Sequence, residues 1–388
     1  MVKLKKYIKF LIFELIDFFV KPSSNLKEKS ILIIRLDAIG DYVLFRNFIK
    51  EIKNSTKYRD YSITLLGNIA WQEISKELDN KYVDKFIWVD RNKFNKELIY
   101  RYKKLKSIVS KSYEIIISPV YSREFYTIDK IVKLINAKEK IGSKGDSLVI
   151  EKWQKKISDN YYTKLIDVKK EILFEFYRNR EFFENLLESK LLISRPSISL
   201  NKKRIKLKLP KKYALLFIGA SQKKRKWSIE NFAKVGNYIN FKYGYDIVLC
   251  GGLDDNINAK KFESFYKGKI FNFVGKTSLL KLLKIIDNAG LILSNETSVP
   301  HFSSALNKKN IFVVYNGIHF GRFTPYPKKI SSNYHFIYHP YINKNLSNYR
   351  KISNRPDYQI NLDINDISLK MVKNKIDSVI NIKSLKKK

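Results

Sequence analysis

The chain has 388 residues and carries 76 Lys and Arg against 37 Asp and Glu, a net charge of +39 with histidine neutral. That length suits two domains, and 44% hydrophobic with 14% aromatic residues excludes a disordered polycation, which would lack the material for a core. Fourteen glycines and nine prolines exclude collagen-like and linker-like chains, and a single cysteine, Cys250, excludes an internal disulfide and suits a reducing compartment. So basic a surface attracts polyanions: nucleic acid, anionic lipid or phosphorylated small molecules. Lysine is enriched everywhere, with Ile and Asn, so compositional bias explains the charge as readily as a partner does.

The N-terminal run MVKLKKYIKFLIFELIDFFVKPSS has the lysines and apolar stretch of a signal peptide but is interrupted by Glu14 and Asp17 and lacks a small-residue cleavage site. Its uninterrupted apolar stretch is shorter than the roughly 20 residues that span a bilayer. Leu4, Ile8, Leu11, Ile12, Leu15, Ile16 and Phe19 recur at helical steps, and Lys3, Lys5, Lys6 and Lys9 crowd the start. Such a helix either lies in a membrane interface, apolar face down, or docks on the protein's own core. Pro22, Ser23 and Ser24 end it.

Beyond Pro22 the pattern becomes that of alternating strands and helices. Ile31–Ile34 reads as a buried parallel strand, followed by Arg35-Leu36-Asp37-Ala38-Ile39-Gly40-Asp41 and a helix through about Lys53. Further strands are expected at Ser62–Leu66, Phe86–Val89 and Glu114–Ser118, and residues 150–195 read as helical. A lysine-dense stretch, Asn201–Pro210, marks the expected domain boundary; from Asn201 to Lys226 there are 11 basic residues and no acidic one. The architecture then restarts, with strands at Tyr213–Ile218, Asp246–Leu249, Ile270–Val274, Leu291–Ser294 and Ile311–Tyr315, and helices at Ile229–Phe241, Leu279–Asn288 and from Pro300 to Leu306. The fold class is α/β with two doubly wound parallel sheets, ligand loops lying at the carboxyl ends of the strands. From Asp363 onward, Ile367, Met371, Ile376, Val379 and Ile380 form the stripe of a closing helix.

Four stretches carry the chemistry. Gly40-Asp41 offers a tight turn and a carboxylate suited to accept a proton from an attacking hydroxyl; Asp41 as a helix cap is the plainer reading, and Asp37 reads as a structural carboxylate. Gly219-Ala220-Ser221 followed by Lys223, Lys224, Arg225, Lys226 and Trp227 combines a small-residue turn with cations, a phosphate cradle or a solvated basic loop. Gly251-Gly252-Leu253-Asp254-Asp255 places Asp254 where a ribose hydroxyl could be bonded; the Asp-x-Asp spacing of a metal site is not met, and no metal is expected. Ser294-Asn295-Glu296-Thr297-Ser298-Val299-Pro300-His301 packs a carboxylate, hydroxyls and an imidazole at a helix start, for sugar and phosphate or for capping by Thr297 or Ser298. His319, His335 and His339 read as ordinary loop histidines.

In order and spacing these stretches resemble glycosyltransferase family 9, the ADP-heptose:lipopolysaccharide heptosyltransferases. The resemblance rests on the opening strand-Arg-x-Asp-x-x-Gly-Asp, Gly219-Ala220-Ser221 with Lys226-Trp227-Ser228 and Asn231-Phe232, Gly251-Gly252, Val274-Gly275-Lys276-Thr277-Ser278-Leu279, the Ser294–His301 loop, Phe312–Gly317 and Thr324-Pro325-Tyr326, covering about residues 30–345. It implies a GT-B fold, two facing Rossmann-like domains: a basic amphipathic helix over 1–29 as candidate membrane-surface anchor, an acceptor-binding domain over 30–200, a nucleotide-sugar-binding domain over 201–345, and a closing segment over 346–388. It implies inversion at the anomeric carbon with no cofactor or essential metal, Asp41 as general base with Gly40 on the acceptor side, donor phosphate at Gly219, Ser221 and Lys226, and donor contacts from Glu296, Thr297, Ser298 and His301. The weaker nucleotide set is Gly251, Gly252 and Asp254. The expected partners are a nucleotide-sugar, a lipid-linked or phosphorylated glycan such as lipopolysaccharide, and the anionic cytoplasmic face of the inner membrane of a bacterium, with no nucleic acid. The alternatives are a non-catalytic GT-B-like subunit that binds polyanions or membranes, and a sugar-nucleotide epimerase. Two residues depart from the family pattern. Glu296 stands for its usual Asp, moving the carboxylate by roughly one C–C bond, and Ser298 stands for its usual Gly, narrowing the backbone's approach.

Overall fold

The structure is a computed structural model that describes residues 2–201, 207–352 and 362–385. It divides into two compact units, Met1–Glu171 with Phe176–Leu192, and Ile172–Glu175 with Ile193–Lys388. The first holds β1 (Ser30–Arg35), β2 (Ser62–Asn68), β3 (Lys85–Val89), β4 (Tyr113–Ser118), β5 (Ala137–Ser143) and β6 (Lys164–Ile166) in the order β3-β2-β1-β4-β5-β6, every pairing parallel. All six residues of β1 are buried, as a near-continuous apolar run requires when helices cover both faces. Its core joins Leu32, Ile34, Leu66 and Ile116 to Leu105, Ile108 and Ile131 of the flanking helices.

The second unit repeats the plan with β7 (Tyr213–Phe217), β8 (Asp246–Cys250), β9 (Ile270–Asn272), β10 (Leu291–Asn295), β11 (Ile311–Tyr315) and β12 (Tyr334–Tyr338), ordered β12-β11-β10-β7-β8-β9 and again wholly parallel. Leu216, Trp227, Phe232, Leu249, Leu293 and Phe312 share its core with Ile367, Val372 and Ile376, the last two from the closing helix Leu369–Leu385. In each sheet the winding reverses once, between β1 and β4 and between β7 and β10, and a doubly wound sheet opens its ligand crevice at that reversal. Three strands are additional to those the pattern predicts: β5, β6 and β12. The 150–195 stretch, expected to be helical throughout, contains β6 between the helices Lys152–Asp159 and Glu175–Leu187.

The N-terminal helix α1 (Val2–Phe18) packs on the first unit through its charged residues. Arg101, fully buried, clasps Asp17 through Nη2 to Oδ2 at 3.0 Å; Glu14 pairs with Lys130 and, at 3.2 Å, with Lys133. Phe13 is buried beneath the Arg101 guanidinium, 4.1 Å from its ring centre. Glu14 and Asp17, which break the apolar run in the sequence, thus dock the helix together with its aromatic contacts. No described helix is long and apolar enough to cross a membrane.

Candidate functional site

Two loops meet at the reversal of the second sheet, one leaving β7 and one leaving β10, whose strands pair directly. The β7 loop, Gly219–Lys226, carries the cations. Its course is set by two asparagines at neighbouring strand ends. Asn295, fully buried at the end of β10, accepts from the Trp227 amide at 3.0 Å and donates to the Ile218 carbonyl at 2.9 Å. Asn316, just past β11, donates to the Lys224 carbonyl at 2.8 Å. Trp227 is the anchor beneath: its ring is buried and its Nε1 donates to the Ile367 carbonyl at 2.8 Å. Ser221, Lys223 and Lys224 stay exposed, while Arg225 is largely buried, its side chain 15% exposed, and Lys226 is half-buried.

Each of those two cations faces a carboxylate. Arg225 Nη1 lies 2.7 Å from Glu296 Oε2. Lys226 Nζ lies 2.5 Å from Asp255 Oδ1, and the other oxygen of Asp255 accepts from the Gly252 amide at 2.9 Å. Gly219 leaves room for this close approach: a Cβ there would stand 2.6 Å from Asp255 Oδ2 and displace the carboxylate. Asp255 is therefore the buried carboxylate of the Gly-Gly turn, and Asp254 stands exposed beside it.

Beyond Glu296 the chain enters the helix Ser298–Ala305. Thr297 occupies the N-cap position, and its side chain makes no cap hydrogen bond; Thr297 and Ser298 are half-buried, and the positive end of the helix lies at the sheet reversal. Burial pushes the Glu296 carboxyl up, and the Arg225 charge opposes the rise. His301 is buried, with Nδ1 2.7 Å from the Tyr326 hydroxyl, and burial brings its imidazole down to about 4. It is thus a neutral hydrogen-bonding group at physiological pH. His319 is held down to about 4 by burial first and then by the charges of Arg322, Arg225 and Lys224, so it belongs to this cationic neighbourhood. His339 has a carboxylate partner, Asp366, at 2.9 Å.

In the first unit the corresponding reversal lies between β1 and β4. Asp41 sits in the first turn of α2 (Ile39–Phe45), whose N-cap position is Ala38, with no side-chain cap bond. Gly40 is the second residue of that helix, so the tight turn expected at this glycine is helical backbone instead. The neighbours of Asp41 fix α2 firmly. Tyr42 and Arg46 both bond the buried Asp79, Arg46 Nη2 at 2.7 Å. Asp37 is structural, its Oδ2 2.7 Å from Nε of the fully buried Arg35. At the carboxyl ends of β3 and β4, Arg91 pairs with Glu124, whose carboxyl is pushed up by burial, opposed by Arg91 and reinforced by Asp37. Among the described residues, no three His, Cys, Asp or Glu side chains gather closely enough to hold a metal ion.

The family model for glycosyltransferase family 9 (heptosyltransferase) matches residues 102–348, more than half of the chain. The chain belongs to glycosyltransferase family 9. Its general activity is accordingly glycosyl transfer. Among solved structures, it is similar to the family 9 glycosyltransferase of Veillonella parvula DSM 2008, at 18% identity and a TM-score of 0.68, with 93% of this chain and 99% of that one covered. It is similar to Escherichia coli heptosyltransferase WaaC with ADP, at 15% identity and a TM-score of 0.64 over 89% and 99% of the two chains. The E. coli ADP-heptose lps heptosyltransferase II gives 15% identity and a TM-score of 0.65 over 92% and 99%. At such identities the likeness establishes the fold, that of the GT-B glycosyltransferases. No curated protein matches the sequence significantly. The matched stretch includes the β7 and β10 loops; Asp41 lies outside it. The residues that sequence reasoning undervalued are Arg225, Asn295, Asn316 and His319, because their roles come from contacts between loops more than 65 residues apart (Trp227 with Asn295 is 68).

Proposed function

We propose that this family 9 enzyme is an inverting glycosyltransferase that needs no metal and moves a sugar, with heptose the first candidate, from a nucleoside-diphosphate sugar to a lipid-linked or phosphorylated surface glycan. It works peripherally at the cytoplasmic face of a bacterial inner membrane. The observation that carries this reading is the Arg225–Glu296 and Lys226–Asp255 pairing at the β7–β10 reversal, one cation presented beside the loop that opens the helix Ser298–Ala305 and the other beside the Gly251-Gly252 turn. WaaC has been obtained with ADP and with ADP-2-deoxy-2-fluoro heptose, which supports the same donor class here.

In the reaction, the acceptor hydroxyl oxygen attacks the anomeric carbon and its proton passes to the Asp41 carboxylate. The bond from that carbon to the diphosphate oxygen breaks on the opposite face, leaving a nucleoside diphosphate. Arg225, Lys226 and the amides that open the helix Ser298–Ala305 meet the charge developing on the β-phosphate, as preorganised donors. Gly219, Gly251 and Gly252 keep the backbone low beside the ligand, Asp254 bonds ribose, and Thr297, Ser298 and neutral His301 supply hydrogen bonds to sugar and phosphate. Glu296, longer than the family's usual Asp, is held by Arg225, so donor binding must redistribute that pair.

The test is Asp41→Asn, assayed in EDTA with ADP-heptose and a lipid-linked acceptor extract. Transfer is expected to fall roughly 100-fold or more, as loss of a general base does, with nucleotide affinity unchanged and wild-type product of inverted configuration. Retained turnover in the variant would sink the base assignment.

A further inference from the structure

The helix α1 buries its acidic residues and leaves a broad apolar face in water. Its charged residues Glu14 and Asp17 and the buried Phe13 face the first unit. A second set of its large apolar residues faces away: Leu11 is 64%, Leu15 61% and Phe18 80% exposed, with Ile8, Ile12 and, just beyond the helix, Phe19 also exposed. A water-facing helix places these two sets the other way round, and contiguous exposed apolar surface marks a place where something else packs.

The occupant is identified by charge. The described apolar face of α1 carries no acidic side chain; lysines bracket it, with Lys3, Lys5, Lys6 and Lys9 in the sequence of its first turns and exposed Lys21, Lys27 and Lys29 beyond its end, where Glu28 is the one exposed acid among them. A second copy of a chain with net charge +39 repels the first. An anionic bilayer attracts it, and accepts the leucines and phenylalanines among its acyl chains while lysines reach its phosphates. We infer that the outward face of α1 is a bilayer-docking surface, and that the Asp17–Arg101 clasp is the joint that fixes it to the enzyme.

The direction of α1 adds a functional consequence. Phe10 stacks on Phe125, 5.9 Å between centroids, and Phe13 meets Tyr126, both in the turn that follows the carboxyl end of β4. After the helix, the Ser23 amide bonds the Val109 carbonyl, before β4 begins. The lysine-rich start of α1 therefore lies toward the carboxyl edge of the sheet, the edge from which α2 and Asp41 project. Docking would bring that edge to the headgroups, where a lipid-linked acceptor displays its glycan. This inference rests on the membrane reading above and is independent of the donor.

The test uses the full chain in flotation with vesicles of phosphatidylcholine, alone or mixed with phosphatidylglycerol. The wild type is expected to float with the mixed vesicles and to lose at least about tenfold in affinity in L11E/L15E/F18E, whose substitutions are at exposed sites. A second variant, K3Q/K5Q/K6Q/K9Q, is expected to lose the preference for phosphatidylglycerol. Circular dichroism and the thermal shift with nucleotide-sugar are expected to be unchanged in both. Absence of flotation, equal flotation of L11E/L15E/F18E, or a wild-type dimer that this variant dissolves would overturn the docking surface; a missing nucleotide shift alongside normal flotation would instead count against the donor reading.

Discussion

Arg225 and Glu296, 71 positions apart in sequence, hold their charged groups 2.7 Å from one another at the carboxyl ends of two adjacent strands. The pair ties the cationic loop to the loop that opens the helix Ser298–Ala305. Both side chains are largely buried, so removing one leaves the other's charge uncompensated. Glu296→Ala is expected to lower stability by about 3 kcal/mol, the scale for breaking a buried pair, measured by chemical denaturation. Arg225→Ala is expected to weaken nucleoside-diphosphate binding by about tenfold or more in calorimetry, the scale of one lost charge-assisted hydrogen bond. An Arg225→Ala protein with undiminished affinity would remove Arg225 from the donor site.

Asn295 should behave as a positioning residue. Its amide bonds the Trp227 N–H and the Ile218 carbonyl and so shapes the loop that presents Arg225 and Lys226. Asn295→Ala is expected to cost roughly 1–3 kcal/mol through unsatisfied buried groups and to raise the donor KM. A loss of stability with unchanged donor KM would make its role structural alone.

The histidines set an acid limit on stability. His301 and His319 have folded pKa values lowered to about 4 from 6.5. Between those values the unfolded chain binds more protons than the folded one, so stability falls as pH drops from 6.5 toward 4. Thermal unfolding across that window is expected to show the decline, and His301→Gln is expected to flatten it. An unchanged slope in the variant would mean that His301 does not contribute.

The extent to which the sequence revealed this arrangement follows from range of interaction. Apolar runs such as Ile31–Ile34 and Leu291–Ser294 declare buried parallel strands because both faces must be covered. β5 was hidden because Lys138 and Glu139 are exposed near its start, β6 by its three-residue length, and β12 because YHFIY mixes rings and an imidazole at its partly buried positions. The small-residue turn at Gly219 and the Glu296–His301 stretch at the helix start were visible as local composition. Their assembly was not, since Asp255 beneath Gly219 and Asn316 beside Lys224 are long-range contacts without periodicity. The apolar stripe of α1 was legible; that its acids would face inward was not, because the partner, Arg101, lies 84 residues away.

The most direct test of the central claim is a thermal-shift panel of nucleotide-sugars on the full chain in EDTA. A bound donor stabilises the native state by mass action, about 2.7 kcal/mol at a hundredfold excess over Kd. An upward shift with ADP-heptose is expected that persists in Asp41→Asn and falls to about half or less in Arg225→Ala. A panel in which no nucleotide-sugar shifts the wild type, or in which the shift appears only when a divalent metal is restored, would contradict it.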